Sequence, residues 1–419
     1  MSETKPERSA VAHFSSGIVV VVLIGLISWF LHTHEVLRNL EMINLDILFL
    51  SQGKPPESES ISVVPITEED YKEAFASTSP LSRARLLELI RACALSGAKV
   101  LAIDLDTSDW TPEDRAAVAA AVVSAASEAR VDAPRLAWAV GGYFGESAEG
   151  RSPQAQRPGT GTAGWHLDDL HLSPPACQGV PASLPDQYGI VRGYIPAISG
   201  EQGGRNVTLG NLAVVIKELS ANSSRACDAS LTILPVGGEP EDERLVNYAG
   251  GGVSFPHVSA STVMGAATAE AWQKSNPLKG RAVIIGGSYR AARDKYVTPV
   301  GYMDGVEILA LTAASLEKGI TAPTPRAFLI IDLTLGLLLL TATWFLNRTW
   351  ALLLTFVLIP FLAILVSFAQ FHTSGYFVSF VPILLGVVSH RVVEFVWEHS
   401  KRHREMAEEL ARLRHSHKV

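Results

Sequence analysis

Residues 281–286 read RAVIIG, and residues 99–105 read KVLAIDL. In both runs aliphatic side chains fill consecutive positions, where a half-exposed strand would alternate apolar with polar. A strand buried on both faces has this composition, and a parallel sheet between helices supplies that environment. The flanks agree. Before the second run, residues 83–96 place Leu86, Leu87, Ile90 and Cys93 at helical spacing, and Gly97 is a good stop. After it, Thr111-Pro112-Glu113-Asp114 has the form of a helix start, with a capping hydroxyl, proline at the first position and acids in the first turn. Further strands are expected at 61–67, 135–140, 190–195, 231–235 and 245–248, further helices at 209–219 and 306–317, and an exposed loop at 146–163. This alternation predicts an α/β fold, with a mixed or mostly parallel sheet covered by helices. No internal repeat is visible.

The rest of the chain does not read as soluble. Hydrophobic residues are 47% of the 419 and charged residues only 18%, with a mean hydropathy of +0.21. Charged residues are usually near 25% of a globular domain, so part of this chain is expected in lipid. Four transmembrane helices are expected, one before the α/β segment at 17–34 and three after it at 327–346, 349–369 and 376–397. Pro360 and Pro382 fall inside the last two. Basic residues in the head 1–16 (Lys5, Arg8), in the turn at Arg348 and in the tail 398–419 put those segments in the cytoplasm, with residues 35–326 outside. Residues 32–326 hold 25 basic and 34 acidic residues, and the remainder holds 10 and 8. That split agrees with the topology. A formal net charge of −7 excludes a dedicated nucleic-acid binder. Three cysteines exclude a disulfide framework and form no zinc pattern, but Cys177 and Cys227, in loop-like surroundings outside the cytoplasm, are expected to pair.

Four stretches resemble the second type of CHASE domain, the extracellular sensory domain of bacterial cyclases, histidine kinases and serine/threonine kinases. They are Leu45-Asp46-Ile47, the run from Gly97 to Asp104 (GAKVLAID), Asn247-Tyr248-Ala249-Gly250, and the run from Lys279 to Gly286 with Asp294, Thr298-Pro299 and Gly305-Val306-Glu307-Ile308 beyond it. The three-helix membrane unit after the domain is similar to that family too. The resemblance implies a multi-pass protein of the bacterial inner membrane with both termini cytoplasmic. It implies a sensor, not an enzyme, needing no cofactor. Relatives usually continue into a cytoplasmic cyclase or kinase. Here output is expected to pass to a separate cytoplasmic or membrane effector, with an unknown small molecule as signal, the lipid bilayer as surroundings and a homodimer as a further option. A membrane-anchored outer enzyme and a non-sensing scaffold subunit are the rival readings.

Candidate site residues gather at predicted strand ends. Gly286, Gly287 and Ser288 form a glycine turn after a buried strand, where backbone N–H groups could meet an anion, with Arg290, Arg293 and Lys295 adding positive charge. The opposing reading is a tight turn in which Asp294 caps a loop and pairs with Arg290 or Arg293. Asp104 and Asp106 flank Leu105, and strand alternation would send both carboxylates to one face, where a divalent cation such as calcium is one option and capping of the next loop is the other. Thr298 and Glu307 join the candidates through the resemblance. His166, His171 and His257 read as scattered surface histidines. Asp332, about five residues inside the second span, and Arg391 in the fourth are candidates for signal transmission, with His372, His32 or His34 as partners for Asp332.

Overall fold

The computed structural model describes residues 35–52, 57–107, 110–140, 142–145, 164–167, 176–186, 188–202, 205–221, 244–248, 255–267, 269–316 and 320, and, near the end of the chain, 353, 357–375, 377, 379, 381, 396, 399–400, 402–408 and 410. The chain divides into two units, Phe49–Ile320 and a second made of Met1–Leu48 with Thr321–Val419.

In chain order, α1 (Glu35–Ser51) is followed by β1 (Ile61–Ile66), α2 (Glu68–Glu73), α3 (Arg83–Leu95), β2 (Val100–Asp104), α4 (Pro112–Ala129) and β3 (Arg135–Ala139). Short strands follow: β4 (Gly142–Gly145), β5 (Gly164–Leu167), β6 (Ala176–Gly179), β7 (Ser183–Pro185), β8 (Val191–Tyr194), β9 (Ala197–Gln202) and β10 (Arg205–Gly210). Then come α5 (Leu212–Ser220), β11 (Arg244–Leu245), α6 (Ala260–Ala266), α7 (Glu270–Ser275), β12 (Ala282–Gly287), β13 (Lys295–Thr298), β14 (Gly301–Asp304), α8 (Gly305–Ser315) and α9 (Ile359–Ser374).

Five of these strands form the central sheet, in the order β1-β12-β2-β3-β6, and every neighbouring pair is parallel. The two stretches that opened the sequence reading, β12 and β2, lie side by side in it, with Gly286 opposite Asp104. Their apolar runs are explained by helices on both faces. On one face Val64, Ile66, Leu101, Ile103, Leu136, Trp138, Val283 and Ile285 pack with side chains of α3, α4 and α6 in one buried cluster. On the other, α5 and α8 cover the sheet. The outer edge of β1 is partly closed by residues 256–258, where Val63 N–H donates to Pro256 (2.9 Å) and Val258 N–H donates to Val63 (3.1 Å). The expected α/β fold is present, and its sheet is wholly parallel.

Local chemistry sets several boundaries. Thr111 caps α4 through Asp114, with proline at the helix start, as the sequence predicts. The helix expected at 209–219 begins instead at Leu212. Leu209 and Gly210 belong to β10, and Asn211 is the cap. Its buried amide donates to Ala182 and Ile195 (3.0 and 2.9 Å) while its oxygen accepts from Ala213 N–H (2.9 Å). Gly97 and Gly280 both have positive φ (+73° and +71°), and Gly280 N–H donates to Gly97 (2.8 Å), so the turns before β2 and β12 brace one another. Tyr248 is fully buried against Phe49, and Asn247 N–H donates to Ser315 Oγ (2.8 Å), tying the Asn-Tyr turn to the end of α8.

Cys177 is disulfide-bonded and Cys93 is a buried free thiol, pushed up to about 12 by burial. Cys227 lies outside the described residues, as do the loop at 146–163 and the strand expected at 231–235. Among the described residues no helix is long and apolar enough to cross a membrane. The spans expected at 17–34 and 327–346 fall outside those residues, and the spans at 349–369 and 376–397 are described only in part. In the third, a π turn at Val357 and Leu358 runs into α9 at Pro360, where the missing proline N–H interrupts regular helical bonding.

Helix α8 lies very close to β12. A Cβ added at Gly286 would sit 2.6 Å from Val306 Cβ and 2.7 Å from Val306 Cγ2. Gly286→Ala is therefore expected to lower stability by about 1–3 kcal/mol through overpacking, measured by denaturant unfolding. An unchanged midpoint would contradict so close a contact.

Candidate functional site

The carboxyl-terminal edge of a parallel sheet is where open α/β folds bind ligands. Here that edge is formed by Ile66, Gly287 and Asp104, ending β1, β12 and β2. After Gly287 the chain makes one 3-10 turn at Arg290–Ala292, then the hairpin β13–β14, and enters α8 at Gly305. This compact return brings Asp294, Asp304 and Glu307 to the same region as Asp104.

Each carboxylate is held differently. Asp304 is the N-cap of α8, and Glu307 completes a capping box by accepting from Asp304 N–H (3.3 Å). Ser288 Oγ donates to Asp304 Oδ2, and Lys295, opposite Asp304 in the hairpin, places its ammonium 3.3 Å from Oδ1. Asp294 accepts from Gly305 N–H through its carbonyl (2.8 Å), while its carboxylate occupies the space a Gly305 side chain would need, with Oδ2 2.2 Å from the position of an added Cβ. The Tyr296 hydroxyl donates to the same carboxylate.

Burial raises Asp104 from its ordinary 3.8 to about 7, and the negative charge of Asp294 adds to the shift. Asp294 is also raised, by burial first and by Asp304 next, with the Tyr296 hydrogen bond opposing. Tyr296 is pushed up by burial, then by Asp294 and Asp104. Like charges placed together in a poorly hydrated region cannot all ionise cheaply, so the edge retains a proton near neutral pH.

A second pair lies beside the first. His257, on the segment that closes the β1 edge, sits 3.3 Å from Glu307 Oε1. The hydrogen bond with Glu307 raises His257 against the opposing effect of burial, and the same bond lowers Glu307. The sequence reading missed this role, because nothing local marks a histidine whose partner is 50 positions away. Asp70 was missed as well. It is 1% exposed, caps α2, and accepts from Ala260 and Ser261 N–H (3.2 and 3.0 Å) at the start of α6. Burial works to raise it, but hydrogen bonds from Ser261 and Thr67 outweigh that and hold it below its ordinary value. Thr67-x-x-Asp70 is a capping-box signature that could have identified it.

Several expectations need correction. The glycines after the buried strand serve close packing. Gly286 admits Val306 and Gly287 admits Ala292 and the Tyr289 ring, while Ser288 N–H is bound to Ile66 (2.9 Å). The Tyr289 ring stacks on Tyr71 at 4.3 Å. Arg290 donates its backbone N–H to Glu68 (2.9 Å), and Arg290 and Arg293 have exposed side chains, so neither is the partner of Asp294. Asp106 lies beyond the end of β2 and is exposed, so strand alternation does not carry it to the face of Asp104. Thr298 is a turn former whose hydroxyl donates to Gly301 (2.7 Å). Among the described residues no three histidine, cysteine or acidic side chains are placed to share a metal ion. His171, Asp332 and Arg391 lie outside the described residues, and His372 Nδ1 lies 2.8 Å from Phe368 O of its own helix.

A three-layer α/β unit, with a strap of carboxylates over the end of its sheet, is thus the class of protein the geometry defines. A family model, the CHASE2 domain, matches residues 18–353. The chain belongs to the CHASE2 domain family, whose members are extracellular sensory domains. No curated protein and no solved structure matches it.

The raised Asp104 predicts a pH dependence. Its folded value lies above its unfolded value, so its contribution to stability is full below pH 3.8 and is lost as pH rises to about 7. Asp104→Asn is expected to flatten the stability profile between those limits and to raise stability at pH 7.5 by about 1–3 kcal/mol. Unfolding measured across that range checks this. A variant that tracks the wild type throughout would contradict it.

Proposed function

We propose that this protein is a sensor of the bacterial inner membrane, with its α/β domain outside and both chain ends in the cytoplasm. Three observations support this reading. Membership of a sensory family gives the role. Helix α9 exposes Phe361, Leu362, Leu365 and Val366, each 45–60% accessible, along one side. So much apolar surface suits a lipid solvent far better than water. Basic residues in the head, the turn at Arg348 and the tail support the orientation.

The input region in this proposal is the edge formed by Asp104, Asp294, Asp304 and Glu307. Its carrying observation is that α8 starts there, with Asp304 as its cap and Asp294 wedged against Gly305, and that α8 leads the chain toward residue 320 and the predicted spans. Gain or loss of charge at the edge changes the carboxylate repulsion acting on the first turn of α8. A signal that binds one charge state better shifts the balance between two arrangements of that turn. Output then passes through the membrane helices to an effector.

Hydrogen exchange on the full chain in lipid nanodiscs tests the proposal. After correction for intrinsic rates, stepping from pH 5.5 to 8 is expected to alter protection at residues 295–309 in the wild type and much less in Asp104→Asn/Asp294→Asn. Equal behaviour of the two proteins would refute the input assignment. A phosphatase fusion at residue 200 is expected to be active, and fusions at either end inactive. The reverse pattern would refute the topology alone.

A further inference from the structure

Helix α1 has two apolar faces. Leu45, Leu48 and Phe49 are fully buried and Asn44 is 2% exposed. On another side, Leu40, Ile43, Ile47 and Leu50 are 39%, 53%, 47% and 64% exposed. Their spacings are three, four and three residues, the repeat with which two helices wind about each other in a left-handed coiled coil. In that register Leu40 and Ile47 are a positions, and Ile43 and Leu50 are d positions. The same spacing reaches back to Val36.

We infer that this stripe is the contact for a second copy of the chain, joined to the first as a parallel pair through α1. Flanking chemistry supports that occupant and that orientation. Asn39 and Asp46 fall at g, and Asn44 and Ser51 at e. A parallel pair sets Asp46 of one copy toward Ser51 of the other, and no like charges face each other across the seam. An antiparallel pair can bring the two Asp46 carboxylates together. Two copies anchored in one bilayer are also limited to the parallel sense, and in this respect the inference rests on the membrane reading above.

Size fixes the strength of the contact. Four half-exposed aliphatic side chains make a patch on the order of a few hundred Å², the scale at which an exposed apolar patch marks an interaction site. Two such patches bury well under the roughly 1,200 Å² of a stable soluble complex. The pair is therefore weak between free molecules, and anchoring in one membrane supplies the effective concentration that closes it. A seam on the helix that leads into the sensory domain gives two copies a shared element whose packing can differ between states.

Cysteine scanning of the full chain in nanodiscs tests this, with Cys93→Ser as background. Single cysteines at residues 39–51 are oxidised and the dimer fraction is read on non-reducing gels. Crosslinking is expected to peak at Leu40→Cys, Ile43→Cys, Ile47→Cys and Leu50→Cys, at least five-fold above Met42→Cys and Asp46→Cys. Ile47→Asp is expected to reduce crosslinking through Ile43→Cys by a similar factor. Uniform weak crosslinking, a peak on another face, or capture of the stripe by a membrane-soluble carbene without crosslinking would overturn the inference, the last assigning the stripe to lipid. The phosphatase fusions report topology independently, so failure here is distinguishable from failure of the membrane reading.

Discussion

The close approach of α8 to β12 governs the arrangement of this molecule. Glycine at 286 lets Val306 reach the sheet, and glycine at 305 lets the Asp294 carboxylate lie against the helix start. With side chains at those positions, α8 would stand off and the hairpin β13–β14 would lose the contact that folds it back over the strand ends. The carboxylates are therefore crowded by packing. The raised Asp104 and Asp294 are a consequence of where the backbone places them, since burial limits the hydration that could relieve the repulsion.

Crowded charge of this kind opposes stability and suits a receiving surface. The domain offsets the cost elsewhere. Its sheet is buried on both faces, its β1 edge is closed by residues 256–258, and Asp70 ties α2 to the start of α6 through hydrogen bonds to a buried carboxylate. Such bonds to a charged group contribute about 1.5–3 kcal/mol each. A rigid body with a charge-dependent edge fits the proposed input assignment.

Much of the frame was legible in the sequence. Consecutive aliphatic residues identified β2 and β12, helical spacing of apolar residues identified α3, and Thr111 with Pro112 and Asp114 marked the start of α4. The site was legible only in part. Asp104, Asp294 and Glu307 were named as candidates, but grouped wrongly. Asp104 was joined to Asp106, two positions away, when the charge that acts on it is that of Asp294, and the close packing of Gly286 on α8 left no local signal. His257 and Asp70 were missed because their partners lie far along the chain, and pairing at that distance leaves no local periodicity. The strand β6 was missed for a related reason. Its ACQG sequence has little β character, and it is a strand because β3 offers it an unpaired edge.

The rise of Asp104 at the sheet edge is what the rest depends on, and its own carboxyl carbon reports it most directly. In the full chain in nanodiscs, labelled at aspartate, the Asp104 resonance is expected to titrate with a midpoint near 7, and in Asp294→Asn that midpoint is expected to fall. A midpoint near 4 in the wild type, or one unmoved by the Asp294 substitution, would contradict the account.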